Sequence, residues 1–226
     1  MNETELYKLF YIDKDYSEIK ELLKNNSDFR SFNMLAKSHL QTGGIKEAYK
    51  YFSKAQNILG CGYCRFINGE TEEASILLNL IKDFSPAVNW LLCLIDIVKN
   101  KEPTIPPAYF QIRNFYEQDL EILFLYKNKP YINAIIRKNE YLEHFNREIY
   151  KYSARVLINN NILDLAAELL KKSLDIFFKD PETHYMLGEI YLQKGNYKKA
   201  KEEYTLSDKV NGEYFPAIKK LKSLKN

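Results

Sequence analysis

The apolar positions of this chain recur with helical spacing, and their order repeats every 34 residues. Residues 184–207 read HYMLGEIYLQKGNYKKAKEEYTLS, and residues 150–173, which lie 34 positions earlier, read YKYSARVLINNNILDLAAELLKKS. A third copy, FNMLAKSHLQTGGIKEAYKYFSKA, occupies residues 32–55. Each copy consists of two periodic stretches around a short turn that is rich in Gly or Asn. Each therefore predicts a pair of helices.

The small and bulky residues of the copies fall in equivalent places. Gly188 aligns with Ala154, and Ala200 aligns with Ala166 on the second helix. Two helices approach closely only where facing side chains are small, so we expect Gly188 to meet Ala200 while Tyr204 fills the space around that contact. This order is the tetratricopeptide repeat (TPR) pattern of helix, tight turn and antiparallel helix. We predict an all-α fold, a TPR-type α-α superhelix with irregular and degenerate repeats.

The remaining segments predict degenerate repeats on either side of one interruption of the helical pattern. Residues 13–23 and 68–81 resemble the second helices of shortened or compressed copies. Residues 101–108, KEPTIPPA, hold three prolines and interrupt any helix. We therefore predict the following ranges: degenerate and compressed TPR-like repeats at 1–100, a Pro-rich kink at 101–108, a helical connector at 109–146, and two regular repeats with a C-terminal capping helix at 147–226.

The charge and composition of the chain exclude several classes of partner. Thirty-three Lys and Arg oppose thirty Asp and Glu with the signs interspersed, which argues against nucleic acid and membrane surfaces. The acidic start MNETELYKLF does not resemble a secretory signal, and the apolar run that begins at Pro86 suits a buried helix because it is too short to cross a bilayer. Three cysteines fit a reducing compartment. We expect an intracellular protein of the nucleus, the cytoplasm or both.

The stretch CGYC, residues 61–64, is a candidate for chemistry as half of a zinc site, a thiol redox pair or simple packing. A structural zinc site needs four ligands, and only Cys93 and three scattered histidines remain for it. A redox pair follows a strand, and none is predicted there. We interpret Cys61 and Cys64 as packing residues on one face of a short helix. The sequence also lacks HExxH, GxxxxGK and GxGxxG, so we predict no catalytic residue, cofactor or metal.

A solenoid of helix pairs has a concave inner surface, the groove, in which partners bind. The repeat phase predicts which residues of the first helices face this groove. They are Lys37, Leu40, Gln41, Lys151, Arg155, Ile158, Tyr185, Glu189 and Leu192. A clamp for chaperone tails would show a tight cluster of Lys and Asn, of which Asn33 and Lys37 form only a fragment.

Two parts of the chain resemble a narrower family, the TPR scaffold subunit of the anaphase-promoting complex known as cell-division-cycle subunit three. Residues 34–52 and 62–78, MLAKSHLQTGGIKEAYKYF and GYCRFINGETEEASILL, are similar to its first repeats. Residues 186–221 resemble the repeat that closes its N-terminal module, where Asn211 and Phe215 match.

This resemblance implies a homodimerising, non-catalytic scaffold that binds other subunits of a multi-subunit ubiquitin ligase in cell-cycle control. In that family the N-terminal helices of one subunit dock in its twin. The inserted apolar face would then be Leu6, Leu9 and Phe10, and the alternative is a capping helix packed on its own chain. For the whole protein the alternative is a monomeric TPR adaptor, of the co-chaperone or trafficking type, that binds a peptide tail. An enzyme, suggested only by CGYC, is the third class.

Overall fold

The computed structural model describes residues 3–82, 85–210, 212 and 214–224, and within these ranges the chain forms helices and turns without a strand. The prediction of an all-α fold is confirmed. The chain divides into two compact units. The first comprises Met1–Pro107 and Glu121–Ile135, and the second comprises Ala108–Leu120 and Ile136–Asn226.

The helices follow one another with short connections, and residues 101–108 contain no helix. A π-helical turn, Leu9–Asp13, continues the first helix. In chain order the α-helices are α1 (Glu3–Lys8), α2 (Tyr16–Leu23), α3 (Phe29–Gln41), α4 (Ile45–Lys54), α5 (Ile58–Ile67), α6 (Thr71–Asn79), α7 (Pro86–Val98), α8 (Tyr109–Leu125), α9 (Lys129–Arg137), α10 (Asn139–Glu143), α11 (Ile149–Asn159), α12 (Leu163–Ile176), α13 (Pro181–Gln193), α14 (Tyr197–Val210) and α15 (Phe215–Ser223).

Consecutive helices pack as the pairs that the repeat predicts. Helix α3 packs on α4 and α5 on α6 in the first unit, and α11 packs on α12 and α13 on α14 in the second. The four connecting turns share one conformation, because the middle residue of each has a positive φ: Gly43, Gly69, Asn161 and Gly195. The N–H of the next residue then bonds to a carbonyl of the preceding helix, as in Gly44 to His39 at 2.8 Å. The turn ends each first helix and reverses the chain.

The apolar run that begins at Pro86 forms α7, and it is buried as the sequence predicts. Ser85 caps the helix by accepting the N–H of Ala87 at 3.3 Å, and Pro86 occupies the first helical position. Trp90 and Leu94 lie in the core of the first unit. No helix in the described ranges has the length and apolar character that a bilayer span requires.

A ring of three buried polar side chains joins α8, α10 and α11 in the second unit. The Tyr116 hydroxyl donates to Asn139 Oδ1 at 2.8 Å, and Asn139 Nδ2 donates to Ser153 Oγ at 2.8 Å. Ser153 Oγ lies 2.6 Å from the Tyr116 oxygen, so its hydroxyl can close the ring. Each member is satisfied by the other two. The ring therefore selects one alignment of the three helices without leaving a buried polar group unpaired.

Gly188 allows the closest approach within the last helix pair, although its neighbour is not the one expected. A Cβ at this position would lie 2.5 Å from Cε1 of Tyr204, so the aromatic ring rather than Ala200 covers the glycine. Ala200 and Tyr204 are both fully buried. The repeat pattern correctly predicted a steric demand on Gly188, and the tyrosine supplies it.

We expect Gly188→Leu to lower the free energy of unfolding by about 1–3 kcal/mol, because the new side chain overlaps the buried ring of Tyr204. Urea denaturation followed by circular dichroism measures the change. Gln193→Leu is the matched control, since Gln193 is exposed on the same helix and should change stability by about 0.5 kcal/mol or less. Equal stability of the two variants would contradict the close contact.

Candidate protein-binding site

A pocket of about 550 Å³ opens in the second unit, where two connecting segments meet Tyr109, the first residue of α8. One segment is residues 144–148, between α10 and α11. The other is residues 177–180, between α12 and α13. The volume lies within the range of about 300–1,000 Å³ that is typical of ligand pockets. The pocket is therefore large enough to receive side chains of a partner.

The lining of the pocket combines aromatic surface with charge. Phe145 and Phe177 contribute to it together with Tyr109. Tyr109 is 51% exposed and Phe177 is 40% exposed, so both rings present apolar surface to solvent at the pocket. Arg147 and Lys179 are exposed cations on the same two segments. The pocket therefore offers apolar contact and positive charge together.

Local hydrogen bonds hold both segments in place. Asp180 begins α13 as its N-cap: Oδ1 accepts the N–H of Glu182 at 3.1 Å, and Oδ2 accepts the Thr183 hydroxyl at 2.7 Å. In the other segment, Asn146 Oδ1 accepts the N–H of Glu148 at 3.0 Å. Both segments are thus ordered by short-range contacts within the unit.

The ammonium group of Lys151 connects the two segments. Lys151 is only 6% exposed, and its Nζ lies 3.0 Å from Glu148 Oε1, 3.0 Å from Asp180 Oδ2 and 3.2 Å from Glu182 Oε2. The Tyr152 hydroxyl donates to the other oxygen of Glu148 at 2.7 Å. A buried cation requires such partners, so the network ties α11 to the start of α13 beneath the pocket.

Hydrogen bonds within the network favour the charged forms of Lys151, Glu148 and Asp180. Burial alone would lower the pKa of Lys151, but hydrogen bonds to Glu148 and Asp180 outweigh it and raise that pKa. Burial likewise opposes ionisation of the two carboxyl groups. Hydrogen bonds from Tyr152 and Lys151 nevertheless lower the pKa of Glu148, and bonds from Thr183 and Lys151 lower the pKa of Asp180.

Arg155 extends the same network by one turn of α11. Its Nη1 lies 2.5 Å from Glu117 Oε1, and its Nη2 lies 2.7 Å from Glu182 Oε1. Burial opposes its charge, but the hydrogen bond with Glu182 and the attraction of Glu117 prevail, so the pKa of Arg155 is raised. Glu182 therefore bridges the two cations of α11.

These contacts correct the predicted groove positions on α11. Lys151 is buried in its ion network, and Arg155 already pairs with two carboxylates; neither has the open position that the repeat phase predicted. Ile158, on the same helix, is half-buried. The reason is that this face of α11 packs toward α13, the first helix of the next pair.

The groove positions on α13 are partly covered. Tyr185 and Leu192 pack against the cluster that α14 and α15 form. Glu189 accepts hydrogen bonds from the Tyr204 hydroxyl and from Lys220 Nζ, the latter at 2.8 Å. All three residues are half-buried beside α15. Partner binding at these positions stays a prediction.

The predicted groove positions on α3 differ in their exposure to solvent. Leu40 is buried, so its assignment to an open groove is wrong, and its backbone carbonyl accepts the Tyr126 hydroxyl at 2.9 Å. Lys37 is exposed and Gln41 is half-buried. Partner binding by Lys37 and Gln41 remains a prediction.

The apolar face of the N-terminal helix packs on its own unit. Phe10 is 7% exposed and lies in a cluster with Ile19 and Leu35, while Leu6 and Leu9 pack against that cluster. Insertion of the three residues into a second copy stays a prediction, which would require this face to leave its own unit. The arrangement matches the alternative of a capping helix, because the hydrophobic face already has an intramolecular partner.

The sequence reasoning missed the residues that line the pocket. Tyr109 lies beside the Pro-rich segment, and Phe177 is followed by a second phenylalanine, Phe178, which is 72% exposed. Consecutive aromatic residues in a connecting segment are the signal that was available. Repeat counting gives them no assigned position because they lie outside the regular slots.

The CGYC stretch lies on α5, and its two cysteines are packing residues as the sequence analysis proposed. Cys61 and Cys64 are 8% and 2% exposed. Burial raises the pKa of the Cys64 thiol to about 12, so the thiol is protonated and unreactive at neutral pH. No group of three or more His, Cys, Asp or Glu side chains in the described ranges is placed to hold a metal ion.

Comparison with protein families identifies residues 157–224 as tetratricopeptide repeat. This segment contains the end of α11 and all of α12, α13, α14 and α15, and it confirms the TPR prediction for that part of the chain. A search of curated protein sequences finds no match. The narrower assignment to subunit three of the anaphase-promoting complex has no support in these comparisons. Asn211, on which part of that resemblance depended, lies outside the described residues, and Phe215 is the first residue of α15.

Solved TPR structures of low identity resemble the chain over most of its length. YrrB, described as a TPR protein with an unusual peptide-binding site, is 15% identical with a TM-score of 0.38, and the match covers 92% of this chain and 97% of that one. A chain of the APC/C hetero-tetramer Cut9-Hcn1 is 16% identical with a TM-score of 0.40, covering 98% of this chain but 48% of that one. MamA MSR-1 C2 is 16% identical with a TM-score of 0.36, covering 81% and 97%. These values assign no function to the chain.

We expect Lys151→Met to lower the free energy of unfolding at pH 7 by about 3 kcal/mol, because it leaves the partly buried carboxylates without their shared cation. Urea denaturation measures the loss. The control is Lys172→Met, which breaks an exposed pair with Glu140 and should cost about 0.5 kcal/mol or less.

The contribution of the network to stability should also depend on pH. The pKa values of Glu148 and Asp180 are lower in the folded protein than in the unfolded chain. The network therefore stabilises fully above the unfolded pKa values and loses this effect as the pH falls through the folded pKa values. The difference between wild type and Lys151→Met should therefore shrink between pH 7 and about pH 3. A difference that stays constant would contradict the network.

Proposed function

We propose that this protein is a non-catalytic TPR interaction module that binds a peptide segment of another protein in the pocket beside Tyr109 and Phe177. The observation that carries the proposal is the exposure of two aromatic side chains on the wall of a pocket of about 550 Å³. Large aromatic residues in concave sites supply much of the binding energy at protein interfaces. Covering these rings with a partner removes apolar surface from water.

The ion network supports this proposal because it gives the pocket a rigid base. Lys151 holds residues 144–148 to the start of α13 through Glu148 and Asp180. A partner therefore meets walls that are already ordered, and binding does not need to fix mobile segments. A peptide adaptor of this kind is the monomeric alternative that the sequence analysis left open, with its binding site moved out of the predicted groove.

Selection from a displayed library of random dodecapeptides tests the proposal. We expect wild-type protein to select peptides with micromolar affinity, and we expect Tyr109→Ala with Phe177→Ala to weaken each of them by about tenfold or more, since the change removes two apolar walls. Fluorescence anisotropy with synthetic peptides measures the affinities. The matched control is Tyr197→Ala, because Tyr197 is an exposed aromatic residue on α14 away from the pocket lining. Peptides that bind wild type and the double variant equally would refute this site.

The second candidate function is the homodimerising scaffold of a multi-subunit ubiquitin ligase that the sequence resemblance implies. One observation favours a further contact surface at the N-terminus: Tyr7, Tyr11 and Ile12 are exposed, and the two tyrosine rings lie 4.4 Å apart. Exposed apolar residues that lie together are typical of interfaces. In this version the dimer uses the face opposite the one formed by Leu6, Leu9 and Phe10, which stays packed on its own unit.

Light scattering after size exclusion distinguishes the two candidates. The scaffold predicts a mass of twice 26.7 kDa that Tyr7→Glu with Ile12→Glu reduces to that of one chain. The adaptor predicts one chain at every concentration. Substituting Leu6 and Phe10 instead would damage the core, so the exposed pair gives the cleaner result. A dimer that the double variant leaves intact would exclude this surface.

A further inference from the structure

The carboxylates around the pocket already have donors. Glu148 accepts from Lys151 with one oxygen and from Tyr152 with the other. Asp180 accepts from the N–H of Glu182, from Thr183 and from Lys151. Burial raises the pKa of Tyr150 to about 12, and the nearby carboxylate of Glu143 adds to this shift. The carboxylates of Glu148 and Asp180 are therefore bonded before any partner arrives.

Several hydrogen-bond donors around the pocket, in contrast to these carboxylates, have no partner in the part of the chain that the structure describes. Arg147 and Lys179 are exposed, and neither has a hydrogen-bond or ion-pair partner among the described residues. A third donor, Nδ2 of Asn146, is buried in the pocket wall without a hydrogen bond of good geometry, although it lies near enough to the Tyr152 hydroxyl to affect its pKa. The described groups of the site that lack a partner are thus hydrogen-bond donors, and two of them are cations.

We infer that the segment bound in this pocket is acidic, with side-chain carboxylates that meet Arg147 and Lys179 on either side of an apolar residue that packs on Tyr109 and Phe177. This inference rests on the function proposed above and specifies the chemistry of its ligand. Charge complementarity carries it. A guanidinium binds a carboxylate through two parallel hydrogen bonds, and an ammonium group adds a further charged donor.

A basic segment fits this pocket less well. A lysine or arginine of a partner would compete with Lys151 for the oxygens of Glu148 and Asp180, and any oxygen it gained would be lost to a buried cation. It would also meet Arg147 and Lys179 as like charges. A carboxylate forms new contacts and breaks none. Because both cations are exposed, we expect their effect to be moderate in size and sensitive to salt.

The dodecapeptide selection described above also tests this inference. We expect peptides selected by wild type to be enriched in Asp and Glu next to an aromatic or aliphatic residue. Each is then synthesised with acetylated and amidated ends, so that only side chains carry charge, and is compared with an isostere in which Asn and Gln replace Asp and Glu. The acidic form should bind about tenfold more tightly, and the difference should fall at high salt.

A charge-reversed variant tests the two cations directly. Arg147→Glu with Lys179→Glu should weaken binding of the acidic peptides by about tenfold or more and leave affinity for the neutral isosteres within about twofold. The control is Lys198→Glu with Lys201→Glu, which makes the same change of charge at exposed positions of α14. Circular dichroism checks that both variants are folded. Equal losses in the two variants would show a general effect of charge and would overturn the inference.

The outcomes separate the inference from the proposed function. Peptides that depend on Tyr109 and Phe177 but show no preference for Asp and Glu, or prefer Lys and Arg, would overturn the acidic ligand and leave the peptide-binding site in place. Peptides that bind without either aromatic residue would refute the site itself. A pocket filled by a second copy would give a doubled mass that Tyr109→Ala with Phe177→Ala reduces, which would also overturn the inference.

Discussion

The buried ammonium group of Lys151 is the contact on which the second unit depends. A cation that has left water requires counter-charges at close distance, and here they come from Glu148 in the segment before α11 and from Asp180 and Glu182 at the start of α13. This requirement fixes where α13 begins relative to α11. It also holds two walls of the pocket, so the stability of the unit and the shape of the candidate site have one physical origin.

The second unit combines a core whose polar groups are satisfied with a pocket whose aromatic and basic side chains remain exposed. The ring of Tyr116, Asn139 and Ser153 satisfies its own hydrogen bonds, and Tyr204 fills the space that Gly188 leaves. These buried groups need no external partner. In the pocket, by contrast, aromatic rings and cations remain exposed. Such an arrangement suits a module that keeps its shape on binding, as interaction scaffolds do.

The repeat phase predicted the helices better than it predicted their free surfaces. It correctly located the helix pairs and the turns at Gly43, Gly69 and Gly195, because those features depend on neighbours within one repeat. It failed for Leu40 and Lys151, which are buried within their own units. The same limit explains the N-terminus: an amphipathic pattern shows that Leu6, Leu9 and Phe10 need a partner, but not whether that partner lies in the same chain.

The sequence by itself determined the helical class, the TPR pairs, the special turns and the packing role of Cys61 and Cys64, since each follows from spacing along the chain and from the size of side chains. Only the tertiary structure decided which faces stay open. The pocket joins Tyr109 with residues 144–148 and 177–180, segments that are far apart in sequence and belong to no repeat position. Which of their charges remain unpaired depends on distances in space, and no periodic pattern contains that information.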